Sequence, residues 1–407
     1  MPLHAVYGIR RGLKEIFRWV HVDYKFPDNA SRKNAIESGS FIPQNCLITG
    51  LEIWRKKLFL TTPRLKPGVP STLNYIDVED QEDNTPQLIP YPNWEVNAMD
   101  TRERGIQLNS VVSVKIDPCL RLWVLDNGVI NKMTNNHIKR PPSLVIFSLV
   151  NSSPVHTYTL KPEEYEWPRS NFWNMAVDVS SDSCSNAFAY LADSGDPGIL
   201  VYNLQRKSAH RVTNNYFHFN PIDSIITIST SYSKKNYQRT EGIFGMALGT
   251  QDSEGHRRLL FHPLFSTLEF GVSTENLQNK SYAANNVPGF YVAGDRGPGS
   301  QSAGSFIDPA TGMFFYTLIS RNGIACWNTM TEKLLPSNQG IIAENDTDMV
   351  YPNDVKVDKM GNLWVLSNRM NDFIFESPNH NEDVVMMRVF MAPVSQVIRG
   401  TICDDLQ

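Results

Sequence analysis

The sequence predicts an all-β protein, a six-bladed β-propeller with a central channel. The segment VKIDPCLRLWVLDN at 114–127 recurs without a gap as VKVDKMGNLWVLSN at 355–368. Each copy has the pattern of a strand, a polar turn and a second strand, which is half of a small antiparallel sheet. An apolar triplet after a turn occurs six times, at Leu58-Phe59-Leu60, Leu122-Trp123-Val124, Ala189-Tyr190-Leu191, Leu259-Leu260-Phe261, Phe314-Phe315-Tyr316 and Leu363-Trp364-Val365. Units of about 50 to 70 residues, each a small antiparallel sheet, are typical of propeller blades. The alternative is two unrelated all-β domains that share one chance match.

The composition fits one large closed domain. Hydrophobic residues make up 41% of the chain, which is enough for a sizeable core. The net charge is −4 and the longest run of basic residues is Arg55-Lys56-Lys57, which argues against a nucleic-acid partner. No apolar run approaches the roughly 18 residues that span a membrane, so we expect no membrane partner. We therefore predict a single propeller domain over residues 1–407, with an N-terminal arm at 1–16 and a C-terminal tail at 395–407.

The first strand signal lies near the N-terminus. Residues Phe17 to Tyr24 alternate between apolar and polar side chains, as a half-buried strand does. In a propeller the N-terminal strand commonly joins the last blade and thereby closes the ring. We therefore predict that this strand pairs near the C-terminus, which would remove an open sheet edge.

Two features bear on the cellular compartment. The opening MPLHAVYGIRRG has no apolar core of the kind a signal peptide needs, so we expect a mature chain to which an initiator Met has been added. Four acceptor sequons stand in polar, loop-like sequence, at Asn29, Asn151, Asn279 and Asn345. Sequons in surface loops are glycosylated in secreted proteins, so we predict glycosylation at these four positions and an extracellular location.

The chain has five cysteines, and none stands in a CxxC spacing that would indicate zinc. Cys119 lies in the turn of the second repeat and Cys184 in the equivalent turn of the third, so a bridge between neighbouring blades is conceivable there. Cys326 follows the fifth repeat and Cys403 lies in the tail, where a bridge would fix the C-terminal segment. Two disulfides with one free thiol would fit an exported protein, and five reduced thiols would fit a cytosolic one. Spacing alone permits other pairings.

Blocks along nearly the whole chain carry a family resemblance. They include FRWVHVDYKFP at 17–27, GLEIWRKKLFLTTPRLKPGVPSTLNYI at 50–76, LIPYPNWEVN at 88–97, YLADSGDPGILVYNL at 190–204, GIFGMALG at 242–249 and YPNDVKVDKMGNLWVLSNRM at 351–370. In this order they resemble the yellow and major royal jelly protein family. The resemblance implies a secreted, usually glycosylated six-bladed propeller, with Cys119–Cys184 and Cys326–Cys403 as disulfides and Cys46 free. It leaves the activity open, since similar members include pigment-pathway, amine-binding salivary, and nutritive or structural proteins.

The candidate chemistry lies in the central channel. The strand before each apolar triplet should be the innermost of its blade, which brings Glu52, Asn174, Asn353 and Asp354 toward the channel. Such oxygen ligands suit Ca²⁺ or Mg²⁺. Acidic and amide side chains at strand starts more commonly accept hydrogen bonds from neighbouring backbone N–H groups. We therefore expect no metal and no cofactor.

The resemblance suggests one reaction, the conversion of a dopachrome-type quinone to its dihydroxyindole. This proton shift from carbon to oxygen needs a base and a donor to the developing oxyanion. We predict Glu52 and Asp354 as the catalytic carboxylates, with Asn174, Asn353 and Arg64 as donors. The favoured function is thus a secreted protein of melanin or cuticle pigmentation, and whether the channel is catalytic stays open.

The alternative is a non-catalytic extracellular binder of small aromatic amines, or a structural or nutritive protein. An amine binder needs an aromatic slot and an anion, for which Phe244 and one of the channel carboxylates are available. Further aromatic candidates are Tyr91, Trp94, Trp173 and Phe373. Salivary binders are expected to be basic and this chain is acidic, which favours the pigmentation hypothesis. In either case we expect a monomer whose partner is a small aromatic ligand of catechol or indole type.

Overall fold

A computed structural model describes residues 9–79, 83–99, 105–134, 138–180, 183–230, 233–331, 333–375 and 384–404. Six antiparallel sheets, each with four strands or more, are arranged around a central channel. The predicted six-bladed propeller is therefore confirmed. No helix within these ranges is long and apolar enough to cross a membrane.

The N-terminal segment provides strands to two blades. It contains β1 (Ile9–Arg10), β2 (Lys14–Trp19) and α1 (Asn29–Glu37). The Asp28 side chain caps α1 by accepting a hydrogen bond from the backbone N–H of Ser31 at 2.6 Å. Of the predicted N-terminal arm, residues 1–8 lie outside the described part, and the remainder forms β1 and the start of β2.

The first three blades follow one another along the chain. The first blade comprises β3 (Gly50–Trp54), β4 (Lys57–Thr61), β5 (Leu73–Asp77) and β6 (Ile89–Pro90), followed by α2 (Trp94–Asn97). The second blade and its insertion comprise β7 (Val111–Ile116), β8 (Arg121–Asp126), β9 (Val129–Ile130), β10 (Ile138–Lys139), β11 (Ser143–Ser148) and β12 (Pro154–Thr159). The inserted strands β9 and β10 pair with each other and form a small separate sheet. The third blade comprises β13 (Phe172–Val179), β14 (Ala187–Asp193), β15 (Gly198–Asn203) and β16 (Ser208–Val212).

A second inserted hairpin precedes the fourth blade. The hairpin is formed by β17 (Ile225–Ser229) and β18 (Lys234–Gln238). The fourth blade comprises β19 (Ile243–Gln251), β20 (Arg257–Pro263), β21 (Leu268–Ser273), α3 (Thr274–Gln278) and β22 (Tyr291–Asp295). The fifth blade comprises β23 (Ser305–Ile307), β24 (Met313–Leu318), β25 (Gly323–Asn328) and β26 (Gln339–Glu344). The sixth comprises β27 (Pro352–Val357), β28 (Asn362–Ser367), α4 (Met370–Phe375) and β29 (Met387–Pro393), after which α5 (Val394–Val397) begins the tail.

The N-terminus closes the ring, as predicted. Strand β2 pairs with β29 and supplies the outermost strand of the sixth blade. The regular pairing ends at Trp19, earlier than the alternation to Tyr24 predicted. Tyr24 forms a single parallel bridge with Leu88 instead, and its ring packs edge-on against Phe41. Strand β1 adds a fifth strand to the fifth blade through β26, so this short segment links the last two blades.

The sequence repeat has a structural cause in the turn between the two strands. Asp117 accepts hydrogen bonds from the backbone N–H groups of Cys119 and Arg121 and from the indole N–H of Trp123. Asp358 accepts from the indole of Trp364 at 2.8 Å in the equivalent turn. One carboxylate thus shapes the turn and holds the tryptophan that follows. The apolar triplets all lie on the second strand of their blades, where they form the buried layers between sheets.

Two disulfides are present, and both are the predicted ones. Cys119–Cys184 joins the second blade to the third, and Cys326–Cys403 ties the C-terminal tail to the fifth blade. Cys46 is free and buried. The arrangement of two bridges and one inaccessible thiol matches the pattern expected of an exported protein.

The four sequon asparagines lie at different degrees of exposure. Asn29, Asn151 and Asn279 are exposed, and Asn345 is half-buried. The side-chain oxygens of Asn151 and Asn279 each accept hydrogen bonds from the backbone N–H and the hydroxyl of the serine two residues later. Glycosylation at these positions stays a prediction.

Candidate functional site

The six innermost strands line the channel. In ring order they are β3, β7, β13, β19, β23 and β27, and β27 contacts β3 again. Each lies in the segment that the sequence predicted to be innermost. Because blades share the same internal register, corresponding residues of these strands lie at the same level of the channel.

A charged cluster lies on one side of this channel, formed by Glu52, Lys115, Asp354 and Lys356. The Lys356 ammonium pairs with the Asp354 carboxylate and donates to the carbonyl of Val355 at 3.1 Å. Asp354 also accepts the backbone N–H of Leu51 at 3.1 Å, which ties the sixth blade to the first. Glu52 accepts the N–H of its neighbour Ile53. The two predicted carboxylates are therefore close together, and both lie beside lysines.

Burial and mutual charge set the protonation of the cluster. Burial raises the pKa of Glu52, and the nearby lysines partly oppose this. Burial also lowers the pKa of Lys115 to about 7, and the neighbouring Lys356 ammonium lowers it further, against the attraction of Asp354 and Glu52. Lys356 is 2% exposed, and Lys115 is half-buried. At neutral pH a substantial fraction of Lys115 is thus an uncharged amine.

The two lysines were missed by the sequence analysis, although a signal exists. Lys115 and Lys356 occupy the same position in the two copies of the repeat, VKID and VKVD. Their register confirms the correspondence, since Lys115 pairs with Trp123 and Lys356 with Trp364. The Lys356 ammonium is paired with the Asp354 carboxylate, and Lys115 lies near enough to both carboxylates to interact with them electrostatically. Within the described ranges, no group of three or more His, Cys, Asp or Glu side chains is arranged to hold a metal.

The predicted amide donors serve the contacts between blades. Asn353 donates its side-chain N–H to the carbonyl of Thr49, across the junction of the sixth and first blades. The side-chain oxygen of Asn174 accepts the backbone N–H of Met175 at 2.9 Å and the hydroxyl of Ser113 at 3.3 Å. Asn174 thus lies near the second blade, and Asn353 lies at the start of its strand.

Arg64 has a structural role in the first blade. Its guanidinium donates to the carbonyls of Val69, Pro70, Asn97, Leu108 and Asn109. These five bonds use all five N–H groups of the side chain. Arg64 is 2% exposed and has no donor left for a ligand, so it does not act as the predicted oxyanion donor.

A cavity of 260 Å³ lies at the end of the channel where the innermost strands begin, and we call it the mouth cavity. Trp173, Phe244 and Asn353 line it, and each is the second residue of its innermost strand. The rings of Trp173 and Phe244 are stacked with centroids 6.1 Å apart. Helix α4 forms one wall through Met370, Ile374 and Phe375. The stacked rings of Trp173 and Phe244 on one side and α4 on another border a space for a single ring system, which we call the aromatic slot.

The mouth cavity carries more positive than negative charge. Lys132, Arg239 and Glu241 line it, and Arg239 is paired with Glu241. Lys132 lies 5.8 Å from the centre of the Trp173 ring. Burial lowers the pKa of Lys132 to about 8, with Arg239 acting in the same direction against Glu241 and Asp193. The second carboxylate oxygen of Glu241 is buried and has no hydrogen-bond partner among the described residues.

The other candidate residues lie elsewhere. Glu52, Asn174 and Asp354 are not among the residues that line the mouth cavity. Of the aromatic candidates, Tyr91 is in the core, while Phe373 lies under the ammonium of Lys66 at 4.1 Å. Trp94 lines a separate cavity of 560 Å³ beside the first blade. Lys132, Arg239 and Glu241 were not predicted, because Lys132 is far along the chain from the other two and only the fold brings it beside them.

The chain is similar in sequence to known proteins over nearly its whole length. The family model for "Major royal jelly protein" matches residues 109–403. "Protein yellow" of Drosophila subobscura is 32% identical over 405 residues, which cover 99% of this chain and 68% of the relative. "Protein yellow" of Drosophila melanogaster is 32% identical over 394 residues, covering 96% and 71% respectively.

Two solved structures align with most of the chain at low identity. A luciferin-regenerating enzyme aligns with a TM-score of 0.45 at 10% identity, covering 87% of this chain and 92% of the other. Virginiamycin B lyase from Staphylococcus aureus aligns with a TM-score of 0.41 at 10% identity, covering 85% and 95%. We draw no conclusion about chemistry from similarities at this level.

Proposed function

Since the chain belongs to the major royal jelly protein family, we propose that it is a secreted, monomeric protein of melanin or cuticle pigmentation that binds a catechol- or indole-type compound in the mouth cavity. Family membership, with "Protein yellow" among the relatives, supports a role in pigmentation. The two disulfides support export, because such bridges persist in oxidising compartments.

One observation carries the choice of ligand, namely the excess of positive charge around the aromatic slot. Two cations, Lys132 and Arg239, accompany one anion, Glu241. A planar ring packed in the cavity against Trp173 and Phe244 would place a carboxylate substituent beside these cations. A carboxylate-bearing compound such as a dopachrome-type quinone therefore fits better than a simple amine, whose ammonium the cations would repel.

The same residues suggest how isomerisation would proceed. Burial lowers the pKa of Lys132 to about 8, so most of it is charged at neutral pH and attracts the carboxylate, while the minor uncharged fraction is suited to accept a proton from carbon. Arg239 is suited to donate a hydrogen bond to the oxygen on which charge develops. This assignment replaces Glu52 and Asp354 as the catalytic groups, since neither lines the mouth cavity.

Amine binding is the second candidate, and Glu241 is the observation that favours it. Its buried oxygen has no hydrogen-bond partner in the described part of the chain, so it could accept a hydrogen bond from an ammonium group. The two candidates differ in the charge of the ligand and can be separated by matched compounds.

The test compares dihydroxyphenylalanine with dopamine, which lacks the carboxylate, by calorimetry on the purified glycosylated protein. We expect the carboxylate-bearing compound to bind about 10-fold or more tightly, because a charge-assisted hydrogen bond contributes about 1.5 to 3 kcal/mol. Lys132→Met should remove this preference, and Trp173→Ala should weaken both ligands. Lys33→Met, on exposed α1, is the matched control and should change neither. A preference for dopamine that Glu241→Gln abolishes would establish the amine-binding alternative.

Catalysis is tested on the same protein by following dopachrome decay. Acceleration proportional to protein concentration that is lost on heating, and in Lys132→Met, would support isomerisation. Binding without acceleration would leave a ligand-binding role, and the absence of both would contradict the proposal.

A further inference from the structure

Charge is distributed unevenly around one level of the channel. Each innermost strand has one residue that pairs with the central residue of the apolar triplet on the second strand of its blade. These six residues lie at one level of the channel. In three neighbouring blades these residues are charged, namely Glu52, Lys115 and Lys356. In the three opposite blades they are Ala176, Ala247 and Phe306. The channel therefore has an ionic wall facing a wall of mainly small apolar side chains.

Lys115 differs from Lys356 within this ionic wall. Lys356 is buried and is held by the Asp354 carboxylate and the carbonyl of Val355. Lys115 is half-buried and lies beside Lys356, so it is the more accessible of the two amines. Two adjacent ammonium groups repel each other, and the proton is lost more easily from the one without a dedicated carboxylate.

We propose that Lys115 is a nucleophilic amine that forms a reversible imine with a small aldehyde or ketone entering the channel. The lone pair of Nζ adds to the carbonyl carbon and forms a C–N bond. The carbonyl oxygen then leaves as water, and its two hydrogens balance the two lost from the amine. The product is a C=N bond, and the step needs neither an oxidant nor a reductant.

The surroundings of Lys115 suit each stage of this step. An uncharged amine is the reactive form, and desolvation beside another cation is a recognised way of activating lysine. The raised pKa of Glu52 makes it suited to carry a proton to the departing hydroxyl group. The opposite side chains Ala176 and Ala247 are small and apolar, so they set no charged group against the organic part of the carbonyl compound. The inference is independent of the proposed function, because Lys115 does not line the mouth cavity.

The test is reductive trapping on the full chain. The protein is incubated at pH 7 with a low concentration of acetaldehyde and cyanoborohydride, and labelled lysines are located by peptide mass mapping. We expect Lys115 to be labelled at least about 10-fold faster than exposed Lys33, because a far larger fraction of it is uncharged at this pH. In the Lys115→Arg variant this rapid labelling should be absent. Labelling of Lys115 no faster than that of Lys33 would overturn the proposal.

Two further variants distinguish activation by the cluster from simple accessibility. Lys356→Met removes a neighbouring cation and should shift the pH midpoint of Lys115 labelling upward. Glu52→Gln removes a neighbouring anion and should shift that midpoint downward. Circular dichroism verifies that each variant folds. If one variant does not fold, the pH midpoint of Lys115 labelling in the other variant decides the test. Shifts in the same direction, or none, would refute the mechanism even if Lys115 were labelled.

Discussion

In the fourth blade, the imidazole of His262 fills the space that a side chain at position 245 of the innermost strand would occupy. His262 on β20 is opposite Gly245 on β19, and its imidazole lies over the glycine. Its Nδ1 donates to the Glu269 carboxylate at 2.9 Å, and Glu269 is also paired with Arg296. All three polar side chains are fully buried. The imidazole therefore has a fixed position, which only glycine at 245 accommodates.

This geometry predicts different effects for the same substitution at two sites of β19. A Cβ atom on Gly245 would lie 2.1 Å from Nε2 of His262, whereas on Gly249 the nearest atom would be 3.4 Å away. We expect Gly245→Ala to lower the free energy of unfolding by about 1 to 3 kcal/mol through overpacking. Gly249→Ala should have no effect or raise it by up to about 1 kcal/mol. Urea titrations of both variants measure this, and equal effects would show that the imidazole moves aside.

Single residues also mark where sequence reasoning succeeds and fails. Glu52 and Asp354 were predicted to face the channel because each lies on a predicted innermost strand, and closure of the ring brings their two blades side by side. The neighbouring lysines, Lys115 and Lys356, were missed, since a lysine in a strand ordinarily reaches solvent and only the closed ring turns it inward. Arg64 was assigned to a ligand because its type suits an oxyanion, whereas the fold surrounds it with five carbonyl groups.

Among the elements, β2 is the strand on which closure of the ring depends. It pairs with β29 and places Phe17 and Trp19 in the core. Trp19 is 1% exposed and its indole donates to the carbonyl of Pro86 at 2.9 Å. The adjacent Arg18 points outward, and half of its side chain is exposed. One strand thus offers a buried site and an exposed site at successive positions.

We expect Trp19→Ala to lower the free energy of unfolding by about 3 to 5 kcal/mol, the range for removing a buried aromatic side chain. Arg18→Ala on the same strand should change it by less than about 0.5 kcal/mol. Chemical denaturation followed by fluorescence compares the two variants. A small effect of Trp19→Ala would mean that ring closure contributes little to stability.

Elements with an internal repeat were predictable, and insertions were not. The apolar triplets lie on second strands because the turn before them repeats the same polar chemistry, as Asp117 and Asp358 show. Within the described residues, the hairpins β9–β10 and β17–β18 have no counterpart in the other blades, and β1 is too short to leave a sequence pattern. These insertions border the mouth cavity through Lys132 and Arg239. Because the insertions do not belong to the repeat, the repeat could not predict these two residues of the site.

At the scale of the whole molecule, the channel concentrates buried amines in a ring that is otherwise tightly packed. Lys115 lies on β7 of the second blade and Lys132 lies in the β9–β10 insertion of the same blade, and burial lowers the pKa of each, to about 7 and about 8 respectively. Burial raises the pKa of Cys46 to about 12, and that of Tyr351 to about 12. The two lysines make the free energy of unfolding rise with pH, and the buried thiol and phenol make it fall with pH at higher values.

The sign follows from the protons bound in each state. Between about pH 7 and the ordinary lysine value of 10.5, the unfolded chain binds more protons at Lys115 and Lys132 than the folded protein does, so the free energy of unfolding rises with pH. Above the ordinary cysteine value of 9.0, the unfolded chain loses the Cys46 proton that the folded protein keeps, so this contribution falls with pH. We therefore expect stability to increase from pH 7, to increase less steeply above pH 9, and to decline only above about pH 10, where the unfolded chain also loses the Tyr351 proton that the folded protein keeps.

Urea titrations without reductant at half-unit steps from pH 6.5 to 10.5 measure this profile, with the disulfides intact throughout. Lys115→Met should flatten the rise between pH 7 and 9, because the substituted side chain binds no proton in either state. The matched variant Lys33→Met removes an exposed lysine of α1 and should leave the slope unchanged. An identical slope in wild type and Lys115→Met would show that Lys115 keeps its proton in the folded channel, and the imine chemistry proposed for it would then lose its reactive form.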